Sequence, residues 1–149
     1  MLSRTVSLTV FSLIFMMLVQ IHTANAEGNV LIKKYFSETA KKVKTTNKPA
    51  EKREIIDKSL GTMYKALDKL ESSGLILKDD RASIDKFKIA LIEKQDELLG
   101  RKGFERISDT QLDAFSDYVL QDMEQAAQTV TISLVSALLL IIILILIVG

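Results

Sequence analysis

The last nineteen residues, 131–149, carry no charged side chain, and this stretch constrains the fold more than any other part of the chain. At about 1.5 Å per residue, a helix of that length reaches roughly 28 Å, close to the ~30 Å hydrocarbon core of a bilayer. From Leu138 to Val148 it is apolar on every face, whereas a helix lying on a small domain needs only one apolar stripe. The expectation is a C-terminal transmembrane helix.

A second apolar run, residues 6–21, has the parts of a secretory signal. Arg4 supplies the positive end, the run itself the apolar core, and Ala24-Asn25-Ala26 a small-x-small cleavage site before Glu27. The two runs together predict three parts: a cleaved signal peptide over 1–26, an exported helical domain over 27–130, and a membrane anchor over 131–149. The chain then reads as a single-pass membrane protein with its domain on the extracytoplasmic side, periplasmic or cell-surface. If the first run stayed in place, the lysines that follow it, Lys33, Lys34, Lys41 and Lys42, would favour a hairpin with a cytoplasmic middle domain.

The middle of the chain excludes much chemistry. It has no cysteine, and the one histidine, His22, falls inside the signal segment. Ser-His and Cys-His nucleophilic pairs, the usual zinc ligand sets and iron–sulfur clusters are therefore not expected, and neither catalysis nor a cofactor is predicted. Asp79, Asp80, Glu93, Asp96 and Glu97 read as charged helix ends and solvated faces. The Ser83/Lys86 spacing lacks the companion motifs of a nucleophile site. No glycine-rich phosphate loop is present, and Tyr35, Tyr64 and Tyr118 read as edge-of-core residues, so no small-molecule substrate is evident.

Periodicity in the middle is helical throughout. A first helix is predicted over about 29–44, with Ile32, Tyr35, Phe36, Thr39, Ala40 and Val43 on one face, and Pro49 opens the next. In the second, Ile56, Leu60, Met63, Leu67 and Leu70 follow a 4, 3, 4, 3 spacing, which is a heptad seam ended by Gly74. Asp79 or Asp80 is expected to cap a third helix whose core face holds Ile84, Phe87, Leu91 and Leu98, widened by Ile89 and Ile92 and closed by Gly100 and Gly103. Ser108 and Gln111 form a capping box before a fourth face of Leu112, Phe115, Val119 and Met123. No glycine or proline interrupts 109–148, so the sequence predicts one continuous helix of roughly 60 Å running into the membrane. The predicted fold is all-α: a small antiparallel bundle of three to four helices, the last continuous with the transmembrane helix.

Charge is segregated along the chain. Residues 33–58 hold nine basic and four acidic side chains, while residues 107–128 hold five acidic and none basic. Asp109, Asp113 and Asp117 recur every four positions, and like charges at that spacing cost an isolated helix a few tenths of a kcal/mol per pair. The reading favoured is a solvated acidic face; the basic region, in the same chain or a second copy, is the nearest compensating partner. A straight row of carboxylates converges poorly on a divalent cation. Ala126, Thr129, Ser133 and Ser136 form a small-residue stripe, a candidate self-association face for a membrane helix.

Residues 59–76, from Ser59-Leu60-Gly61 through Tyr64 and Leu67 to Ser73-Gly74-Leu75-Ile76, resemble the recognition helix and following turn of winged-helix regulators of the PadR type. That resemblance implies a cytosol-facing DNA-binding domain. It departs where a β-hairpin wing should follow, since 80–99 reads as helix, and export would separate the domain from nucleic acid. The function expected from the whole sequence is a membrane-anchored extracytoplasmic scaffold or interaction module without catalytic activity. Its partners would be membrane lipid, a second copy or another envelope protein. The alternative is a membrane-active oligomer that remodels or permeabilises bilayers.

Overall fold

Pro49, which has no N–H to donate, sits at the first position of its helix and ends the connection that turns the chain back on itself. The computed structural model describes residues 24–129 and 134–148, and the side chains of 29–128 and 139–147. Among the described residues there are five α-helices and no strand: α1 (Ala24–Thr45), α2 (Pro49–Ser72), α3 (Lys78–Leu99), α4 (Leu112–Thr129) and α5 (Leu134–Val148). A single 3-10 turn, Asp109–Gln111, leads into α4. Because α3 occupies the place a wing would take, the winged-helix topology is absent from this part of the chain.

The first four helices run alternately up and down. Lys33 meets Glu124 and Lys44 meets Asp117, which sets α1 antiparallel to α4. Lys88 meets Asp68 and Gln95 meets Asp57, which does the same for α3 and α2. Both apolar and polar seams hold these pairs. The predicted core positions Ile32, Phe36, Val43, Ile56, Leu60, Met63, Leu67, Leu70, Ile84, Phe87, Leu91, Leu98, Leu112, Val119 and Met123 are all buried in one cluster. Between α1 and α2, Tyr35 donates to the Ser59 carbonyl at 2.9 Å and Thr39 meets the Ser59 hydroxyl at 2.6 Å. Burial pushes the Tyr35 phenol above its ordinary value, against the opposing pull of its hydrogen bonds with Ser59 and Thr62, so it stays a neutral donor.

Three local expectations change. Asp79 and Asp80 do not cap α3 from outside; Leu77 is the N-cap, and the two carboxylates lie within the first turn, where the helix dipole favours negative charge. Ile89 is 64% exposed instead of core-facing. It lies five positions beyond Ile84, and at about 100° per residue that is roughly 140° round the helix. Gly100 does close α3, at φ +68°, where an added Cβ would come within 2.7 Å of the Arg106 side chain.

The largest correction concerns the C-terminus. The predicted 60 Å helix is two helices: α4 stops at Thr129 and α5 begins at Leu134. Residues 130–133 lie outside the described residues. The chain then folds back, and α5 lies against α2 and α1 with Leu140 and Leu144 in the common core. Its fifteen residues reach about 22 Å, short of the ~30 Å needed. Among the described residues no helix is long and apolar enough to cross a membrane, and this overturns the single-pass placement. The proposed signal peptide falls mostly on residues 1–23, outside the described residues; Ala24, Asn25 and Ala26 form the start of α1.

Candidate functional site

Two surfaces carry the chemistry that the sequence singled out, and the first is the acidic helix α4. Each carboxylate of this region faces a cation supplied by another helix. Asp109 accepts from Arg53 at 2.8 Å, Asp113 from Lys52 at 2.5 Å, and Asp117 from Lys44 at 2.7 Å. Asp122 lies 3.3 Å from Lys94, and Glu124 lies 3.4 Å from Lys33. The acidic segment is thus neutralised within one copy of the chain. The compensating partner for the aspartate row is its own basic region, which the helix spacing alone could not choose over a solvated face.

Arg53 is the most consequential member of this set. It is buried, and its guanidinium donates to the Leu98 carbonyl at 2.7 Å, to the Ile107 carbonyl at 2.6 Å and to Asp109. It therefore ties α2 to the end of α3 and to the connection over 100–108. Its Nε is buried without a hydrogen-bond partner. No sequence signal distinguished Arg53 from its basic neighbours; only the fold places it opposite two open carbonyls.

Lys94 plays a comparable part between α3 and α4. Almost fully buried, it donates to Glu97 at 2.6 Å and to the Tyr118 hydroxyl at 2.7 Å, and its ammonium lies 4.3 Å from the Tyr118 ring centroid. Burial works to lower its pKa, but the hydrogen bonds to Glu97 and Tyr118 and the charges of Asp122 and Glu97 outweigh it and hold the amine above its ordinary 10.5. A Lys94→Met substitution would leave Glu97 and Asp122 facing each other without a cation. The expected cost is about 2–3 kcal/mol, below the full penalty for a broken buried pair because Asp122 is partly exposed. Because the folded-state pKa is raised, the stabilisation is complete below pH 10.5 and is lost as pH rises through the folded value. Urea titrations of both proteins at neutral and strongly alkaline pH would show the gap between them closing; a constant gap would remove the ionic account.

The second surface is formed by α5. It contains no charged residue, and while Leu140 and Leu144 face inward, Ile142, Ile145 and Leu146 are 48, 59 and 76% exposed. Positions i, i+3 and i+4 share one side of a helix, so the three make a continuous apolar ridge. The flanking helices α1 and α2 expose Lys34, Lys42, Lys58, Lys65 and Lys69. Among the described residues none of these five forms an ion pair; on the same two helices one exposed carboxylate, Glu54, is likewise unpaired.

Of the small-residue stripe, only Ala126 is among the residues whose side chains are described. Ala126 is half-buried against the core. Ser133 lies outside the described residues, and the side chains of Thr129 and Ser136 are outside them as well. A third feature, a shallow depression of about 340 Å³ on α3, is lined by Ile89, Ile92, Glu93, Asp96, Lys102 and Phe104. Its polar side is the ion pair of Lys102 with Asp96 at 2.9 Å. The chain matches no protein-family model, no curated protein and no solved structure.

Proposed function

We propose that the chain is a non-catalytic helical interaction module that works by presenting the outer ridge of α5. The observation that carries this reading is the double character of that helix: one side completes the bundle core, while Ile142, Ile145 and Leu146 stay in solvent on the other. Scattered apolar residues on a surface need no explanation, but three adjacent Ile and Leu side chains on a helix with no charge form a contiguous patch of the kind that marks a docking site. The four-helix body, with the carboxylates of its acidic helix matched internally, acts as the rigid support.

A photo-reactive phenylalanine analogue placed at Ile145, in the cells that make the protein, tests the reading. Cross-linked protein adducts are expected at Ile145, with few or none at Asp85, an exposed position on the outer side of α3. Equal labelling at both positions, or none at either, would count against a docking role for α5.

A further inference from the structure

We infer that the partner seated on α5 is an acidic amphipathic helix of another protein, with an apolar stripe edged by glutamate or aspartate. This rests on the interaction-module reading and adds the chemistry of the occupant. The argument is one of complementarity in two properties at once. The ridge of Ile142, Ile145 and Leu146 has the i, i+3, i+4 spacing through which helices anchor one another, so the centre of the contact must be apolar. A charge brought against it would lose its hydration with nothing to replace it.

The edges carry the opposite requirement. Lys34 and Lys42 on one flanking helix and Lys58, Lys65 and Lys69 on the other are exposed and without ion pairs among the described residues, whereas the basic residues that face α4 are matched one by one. Among the described residues unpaired positive charge is therefore in excess on the two helices beside the ridge, whereas on α3 the exposed Lys78, Arg81 and Lys86 are balanced in number by the exposed Asp79, Asp85 and Glu93. An apolar stripe edged by carboxylates satisfies both features, and the charged edges set the partner's choice and orientation more than the depth of binding.

The same features weigh against a second copy as the occupant. It would bring its own lysine edges against these lysines, and like charges across an interface are unfavourable.

The test uses the full-length chain and a pair of synthetic helices about three heptads long, each with a leucine seam, one edged by glutamates and the other by lysines. The glutamate-edged helix is expected to bind at least about tenfold more tightly, with the difference shrinking as salt is raised. Ile145→Ser with Leu146→Ser should weaken that binding by about tenfold or more, and Lys65→Glu with Lys69→Glu should reverse the preference. All four positions are exposed, so these variants keep the fold, which circular dichroism would verify. Equal affinity for the two helices overturns the proposal. So does tighter binding to phosphatidylcholine vesicles carrying phosphatidylglycerol, or an α5-dependent dimer in sedimentation. If neither helix binds while Ile145 still cross-links to protein, the acidic partner is wrong and the docking role of α5 stands; if Ile145 does not cross-link, the underlying reading fails.

Discussion

Replacing Arg53 with methionine is expected to lower the unfolding free energy by about 3–4 kcal/mol, the range seen when one member of a buried charged network is removed. Most of that loss would not come from the ion pair. Asp109 is largely exposed and can return to water, so Asp109→Asn should cost no more than about 0.5 kcal/mol. The carbonyls of Leu98 and Ile107 have no such escape, because each loses a charge-assisted donor at the point where α3 ends and the connection to α4 closes. Arg53→Lys should recover only part of the loss, since a single ammonium cannot reach both carbonyls and the carboxylate in the fork geometry of a guanidinium. Urea unfolding followed by circular dichroism measures all three variants. A loss below about 1 kcal/mol for Arg53→Met would mean that the network contributes little to holding the connection.

Leu140→Ala gives the second large effect, and it bears directly on where the C-terminal run belongs. Leu140 is fully buried beneath α5, so truncating it should cost about 2–4 kcal/mol of bundle stability through lost burial and the cavity left behind. Leu146→Ala, on the same helix but 76% exposed, should change stability by no more than about 0.5 kcal/mol. The contrast between two leucines six positions apart is the informative result. A helix extended away from the bundle would make both substitutions equally silent in the unfolding of the domain, so matching small effects would remove α5 from the core.

Much of the helical framework was legible because its signals are local. Pro49 at a helix start, the Ser108/Gln111 capping box and the αL glycines are read from a few neighbouring residues. In the box, Gln111 accepts from the Ser108 N–H at 3.4 Å and from its hydroxyl at 2.8 Å. The heptad seam of α2 is equally self-contained, and all five of its residues lie in the core.

The failures share a different origin. Hydrophobicity alone assigns Ile89 to the core, whereas its angular position faces it outward beside Phe104. Length and hydropathy assign the apolar C-terminal run to lipid because they are properties of a segment alone, and neither registers the surface of α1 and α2 against which α5 packs. With no glycine or proline between 109 and 148, the sequence carries no local signal that divides α4 from α5. The roles of Arg53 and Lys94 were illegible for the same reason, since a buried cation is defined by acceptors far away in sequence. Charge segregation was visible, but periodicity alone could not show that the acidic row pairs within its own chain.

The placement of α4 against α1 also bears on how the chain finds its fold. Lys33 and Glu124 come together only after the chain has looped over the whole of α2 and α3, so this closure carries the largest entropy cost of any helix pairing in the body. The α2–α3 hairpin, joined by a short turn, can assemble first. Before any packing, however, a basic stretch near one end and an acidic stretch near the other already attract across the unfolded coil, biasing it toward the encounter that costs most. Dissolved salt would screen that attraction in the loose chain more than in the closed pairs, so ionic strength should act on the speed of closure ahead of the final stability.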